Sequence, residues 1–207
     1  MDKMLVTQGL NELKLLDARI NREIRIANFV TAAKTKEAKV TTNVTKEEFT
    51  EKAKASYQAI KDLIDRRKKI KAAIVDSNAK THVTVNGLEM TVAEAIELKT
   101  SIEYEETMLR TFKNQFDNAK STVNVQNVNM EDKIDKYLET MIGREAKTKK
   151  EDFLDMITPI REANEYSLVD PLDIEKRIKE LSDKIEGFKS EVDSVLQISN
   201  CVTWIEF

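Results

Sequence analysis

The stretch Asp170-Pro-Leu-Asp-Ile174-Glu-Lys-Arg-Ile178-Lys-Glu-Leu181-Ser-Asp-Lys-Ile185-Glu-Gly-Phe188-Lys-Ser-Glu-Val192-Asp-Ser-Val195 decides the fold. Its apolar residues recur at alternating spacings of four and three, the seam of a helix that packs along another helix. Asp170 before Pro171 is a helix-start signal. The seam is about 30 Å long at 1.5 Å per residue. Leaving it in water forgoes roughly 1.5–3 kcal/mol per large side chain. The cover is the first helix, the long middle helix or a second copy, so the seam is expected to cross or adjoin a subunit boundary, with Leu181 and Phe188 buried. Gly187 lies off the seam, where a helical glycine costs about 1 kcal/mol against alanine.

The same period runs through most of the chain. Leu13, Leu16, Ile20, Ala27 and Val30 predict a helix over 6–36, and 37–44 lose the periodicity and read as a loop. Thr45-Lys-Glu-Glu48 is a capping box opening a helix to about Asp76. Thr91-Val-Ala-Glu94 is a second box, opening a helix to about Lys120. Between them, 81–90 change period, and Asn86-Gly87 marks a tight β-hairpin. A two-stranded hairpin alone is marginal, so it must pack on helices or gain strands.

Ser121-Thr-Val-Asn-Val-Gln-Asn-Val-Asn129 is uncharged, with spaced valines, and reads as an extended connector or edge strand. A shorter helix follows from Met130, with Gly143 as its cap, and Thr148-Lys-Lys-Glu151 starts another that Pro159 ends. Residues 158–168 read as irregular or partly extended. After Asn200 the alternation of Cys201 to Phe207 predicts a terminal strand, with Cys201, Thr203, Ile205 and Phe207 on one side and Val202, Trp204 and Glu206 on the other. The expected fold is mainly α, an elongated helical bundle or antiparallel coiled coil with a small hairpin and a short C-terminal strand. It is read as one domain over 1–207, with 121–168 a possible inserted subregion.

Composition supports this and narrows function by exclusion. Glycine and proline number only 4 and 2 in 207 residues, too few for a turn-dense sandwich or barrel. No apolar run approaches the 20 or so residues of a membrane span, and no signal-peptide core follows Met1, so no membrane partner and a cytoplasmic location are expected. One cysteine, Cys201, and one histidine, His82, are a poor supply for a zinc site. Four separated glycines compose neither a dinucleotide fingerprint nor a Walker A loop. The chain is expected to be no enzyme, with no cofactor and no metal.

Charge is uneven: residues 1–80 carry 18 Lys/Arg and 11 Asp/Glu, whereas 81–207 carry 16 and 26. The simple reading sets basic N-terminal helices beside acidic C-terminal ones; the functional one is an anion site. Arg19, Arg22, Arg25, Arg66, Arg67 and Lys69 are its candidate ligand-binding residues, because clustered guanidinium and ammonium groups recognise phosphate. A whole-chain pI near 5.5 argues against general nucleic-acid binding.

The run Asp76-Ser-Asn78 with Thr81, the Gly87 hairpin and Thr91 with Glu94-Ala95 resemble the corresponding stretch of the septicolysin-like family of small helical bacterial and phage proteins. The ending Glu191-Val-Asp193 with Leu196-Gln197 and Asn200 resembles that family's last helix, though there a tryptophan follows the asparagine directly, and here it is Trp204. The resemblance covers about half the chain. It implies a helical protein with a small β element, and it carries over no catalytic or binding residue. The expectation is therefore a non-enzymatic, self-associating helical interaction protein of bacterial or bacteriophage origin, in host cytoplasm if phage-encoded. Its alternative is an oligomer that sequesters an anionic nucleotide or other phosphate-bearing signal through the Arg/Lys cluster.

Overall fold

The computed structural model describes residues 2–142 and 153–207. In chain order the elements are β1 (Lys3–Leu5), α1 (Val6–Ile26), β2 (Lys39–Thr41), β3 (Val44–Thr45), α2 (Lys46–Lys80), β4 (His82–Val85), β5 (Leu88–Thr91), α3 (Val92–Ile142), α4 (Leu154–Asn164), α5 (Ile174–Val202) and β6 (Trp204–Glu206). The protein is mainly α, with three antiparallel two-stranded sheets among the described residues: β1–β6, β2–β3 and β4–β5. Two compact units divide it: residues 1–100 with 187–207, and residues 101–186. Helices α3 and α5 each contribute to both.

In the first unit α1 and α2 run antiparallel. A Cβ on Gly9 would lie 3.1 Å from Ile205 Cδ1 and 3.2 Å from Ile74 Cδ1, so glycine lets α1 close onto α2 and β6 together. Around it Val6, Leu13, Leu16, Ile20, Ile70, Ile74 and Ile205 form the core. Strand β6 is placed by β1, with Met4 opposite Ile205 and Leu5 opposite Trp204. Ile205 is buried and Trp204 exposed, as the alternation predicts, but the strand starts only at Trp204: Cys201 and Val202 are the last residues of α5, and Cys201 is exposed.

Both capping boxes form. Thr45 Oγ1 accepts from Glu48 N–H (3.1 Å), and Glu48 Oε2 accepts from Thr45 N–H (2.8 Å). The Thr91–Glu94 pair repeats this at 3.1 and 2.7 Å. Hydrogen bonds from the Thr45 backbone N–H, then its hydroxyl, hold the Glu48 carboxyl below its ordinary range; Thr91 does the same for Glu94.

The hairpin pairs His82 with Thr91 through Val85 with Leu88. Asn86 and Gly87 both have positive φ, 50° and 73°, as a type I′ turn requires. Its tip is seated on α5: Asn86 N–H donates to Glu191 Oε2 at 2.7 Å. One turn earlier, a Cβ on Gly187 would come within 2.6 Å of Asn86 Cγ. This gives Gly187 a reason that helix propensity alone does not supply.

In the second unit α5 runs antiparallel to α3, joined by Lys184–Glu105 at 2.6 Å and Lys120–Glu175 at 3.4 Å. Met130, Ile134, Leu138 and Ile157 form a small core where α4 meets α3. Arg161 grips Glu131 with two bonds (2.6 and 2.9 Å), and Asn127 bonds both the N–H and the carbonyl of Tyr166. Asp170 caps α5 by accepting from Ile174 N–H at 2.8 Å.

Several further expectations need correction. The first helix stops at Ile26, not Lys36; the loop beyond is tied to the start of α2 by Lys46 Nζ, which donates to the carbonyls of Lys34 and Thr35. Residues 37–44 include most of a small sheet, whose short strands leave little period to read. Ser121 to Asn129 are helical within the single α3, because the penalty for β-branched residues is a few tenths of a kcal/mol each and packing overrides it. Pro159 lies inside α4 rather than ending it, so 158–164, expected to be irregular, are helical; the Ile157 contacts and the Arg161–Glu131 pair hold the helix despite the lost donor. Leu181 is half-buried, whereas Phe188 is buried as expected. The expected cap at Gly143 and helix start at Thr148 to Glu151 lie outside the described residues.

Gly187→Ala should separate propensity from contact. Propensity alone predicts a gain of about 1 kcal/mol; the seat against Asn86 predicts a loss. Urea unfolding should show destabilisation in the natural background and recovery with Asn86→Gly, a coupling a double-mutant cycle reads directly.

The capping carboxylates also give a signed pH dependence. Their folded pKa values are depressed, so their contribution is complete above the ordinary glutamate pKa of about 4.3 and is lost as pH falls through the lower folded values. Glu48→Gln with Glu94→Gln should flatten the fall in melting temperature between about pH 5 and pH 3.

Candidate functional site

The six candidate cations lie on α1 and α2, and the antiparallel packing decides which of them meet. Arg66 faces the N-terminal half of α1. Its Nε donates to Glu12 Oε1 at 2.5 Å and its Nη1 to Asp2 Oδ2 at 3.0 Å, while its guanidinium lies 5.4 Å from the Phe207 ring centroid. Arg67 pairs with Asp17 through Nε at 2.5 Å and Nη2 at 3.4 Å. These hydrogen bonds raise the pKa of both arginines, and the Arg67 bond holds the Asp17 carboxyl below its usual range.

Lys69 lies with Arg66 and Lys68 at a shallow depression of about 520 Å³, whose other lining residues are Asp2, Asp62, Asp65 and Phe207. Three carboxylates therefore stand beside three cations. A multiply charged anion entering there would meet repulsion as well as attraction, and Arg66 already has its carboxylate partners.

Arg22 and Arg25, further along α1 than Asp17, do not join this group. Glu12, the partner of Arg66, is 13 residues from Arg25 on the same helix, about 20 Å at 1.5 Å per residue. Arg22 pairs with Glu23 at 3.1 Å. Arg19 and Arg25 are exposed and have no polar partner among the described residues. The helices that carry these six cations are legible from apolar period, but the register that decides which of them meet is not.

At that other end lies a groove that the sequence did not announce, about 630 Å³ in volume. Ile26, Val40, Val44, Phe49 and Ile60 give it apolar walls, and the small Ala55 and Ala59 leave room for it. Lys52 and Glu23 are the charged residues on its border. The alanines at 55 and 59, one turn apart on α2, were the available sequence signal.

Among the described residues no group of three or more His, Cys, Asp or Glu side chains is placed to hold a metal. No described helix is long and apolar enough to cross a membrane. A scan against models of known protein families, a search of curated proteins and a search of solved structures each found no match.

The geometry assigns Arg66 a tying role, joining α2 to Glu12, Asp2 and Phe207. Arg66→Gln should lower stability by up to about 1 kcal/mol, the range for a partly exposed ion pair. Lys69→Gln, which removes no bond, should stay within about 0.5 kcal/mol. Urea unfolding of the two variants compares them.

Proposed function

We propose that this protein is a non-enzymatic helical interaction protein that self-associates. The observation that supports the reading is the exposed apolar surface of the second unit. In the segment leading into α5, Val169 is 88% and Leu172 57% exposed, and Tyr166 and Leu168 are also exposed. On α3 of the same unit Val125, Val128 and Met141 are exposed. Single exposed apolar residues are ordinary, but a concentration of them is the mark of an interaction surface.

The segment bearing Val169 is not loose chain. It is pinned at one end by the Asn127–Tyr166 bonds and at the other by the Asp170 cap, so its side chains are presented with little ordering left to do on association. A second copy is the partner in this reading, because closed homo-oligomers are the commonest way to cover such a face.

Light scattering coupled to size exclusion tests it. The protein should run at a multiple of its 23.7 kDa chain mass. Val169→Lys with Leu172→Lys should return it to the mass of one chain, with its helical circular dichroism retained. A single-chain mass for the unaltered protein rejects self-association, and an unchanged oligomer in the variant removes this segment from the interface.

A further inference from the structure

Helix α2 carries a second surface, on a face that its packing leaves open. Lys54, Tyr57, Lys61, Ile64, Lys68, Lys71 and Val75 recur at spacings of 3, 4, 3, 4, 3 and 4. That is one unbroken heptad stripe about 30 Å long, parallel to the helix axis. Its residues belong entirely to the first unit. Tyr57 is 61% and Val75 56% exposed, all four lysines are exposed, and Ile64 is half-buried at the edge of the core. Lys54, Lys61 and Lys71 have no polar partner among the described residues; Lys68, at one edge of the stripe, has Asp65 at 3.9 Å and shares its depression with Asp2 and Asp62. The stripe is unlike the rest of the α1–α2 face, where Arg66 and Arg67 are already paired.

We infer that this stripe docks an acidic amphipathic helix of a partner protein. The period selects a helix: Lys54, Lys61 and Lys68 repeat every seven residues, about 10.5 Å, which is the repeat of a facing helix in a coiled coil. A phosphate backbone would pair with the lysines but leave Tyr57, Ile64 and Val75 of the same stripe without apolar cover. The charge selects acidity: four of the seven stripe positions are lysine, and only a partner with carboxylates facing them is complementary. The same arrangement disfavours a second copy on this face, because symmetric pairing would set lysine against lysine. Membrane-surface helices separate a continuous apolar face from a charged one. Here lysines and apolar residues alternate within one face.

The test uses the full chain and synthetic peptides of four heptads, with leucine on the seam and either glutamate or lysine flanking it. Fluorescence anisotropy should show saturable binding of the acidic peptide, weakening as salt is raised, and no binding of the basic one. Lys61→Glu with Lys68→Glu and Lys71→Glu should weaken the acidic peptide at least tenfold and admit the basic one. Tyr57→Gln, which leaves every charge in place, should weaken the acidic peptide several-fold. Circular dichroism checks that each variant keeps its helices; should the triple variant lose them, Lys61→Glu alone carries the charge test. Failure of the unaltered protein to bind the acidic peptide overturns the inference. So does equal binding by the charge-reversed protein, or displacement of the peptide by a single-stranded oligonucleotide. Because the stripe and the Val169 segment lie on different units, loss of self-association in the earlier variant leaves this result independent.

Discussion

The first unit depends on how closely α1, at Gly9, meets the side chains of Ile74 and Ile205. Any larger residue would press on Ile74 and Ile205, which are among the most buried side chains of the unit. That approach sets the separation of α1 and α2, and with it the register that brings Glu12 to Arg66 and Asp17 to Arg67. It also fixes β6 against the helices, so that β1 and β6 can pair over three residues although 200 positions separate Met4 from Ile205 in the chain. Such short strands have little stability of their own. They persist because Ile205 is already part of the helical core.

A second glycine performs the corresponding task for the hairpin. The β4–β5 turn needs positive φ at Asn86, and an asparagine side chain occupies space that a residue with a Cβ on α5 would contest. Gly187 concedes that space, and Glu191, one turn on, accepts from the turn's backbone. The helical cost of glycine is thus offset by a tertiary seat. The second unit is held differently, by a small apolar cluster and by polar bonds of defined geometry: the Arg161–Glu131 fork and the Asn127 amide on the Tyr166 backbone. Fewer apolar contacts and more directional ones leave much apolar surface uncovered, and the self-association reading rests on that surface.

The cations of α1 and α2 divide by partner rather than by position in the sequence. Arg66 and Arg67 sit where the neighbouring helix supplies carboxylates, and they join elements together. Lys54, Lys61 and Lys71 of the outer stripe have no polar partner within the described residues, whereas Lys68 lies near Asp65 and shares its depression with Asp2 and Asp62. Both groups belong to one basic stretch of sequence, but only the second leaves its charge largely unpaired and open to solvent.

The amino-acid sequence by itself determined the helical class, the hairpin and its turn, both capping boxes and the inward side of the last strand. Each follows from interactions within a few residues: apolar period, a side chain reaching three positions along, a pair of residues that tolerate positive φ. Tertiary structure decided what local preference leaves nearly balanced. Ser121 to Asn129 favour a strand only slightly, and continuation of α3 beside α4 and the Tyr166 segment outweighs that preference. Pro159 stays within a helix because Ile157 and Arg161 have partners on α3. The six candidate cations were legible as residues but not as a site, since whether two side chains on different helices meet depends on register. That register is set by the fit of Gly9 against Ile70, Ile74 and Ile205, residues more than 60 and nearly 200 positions away in the chain.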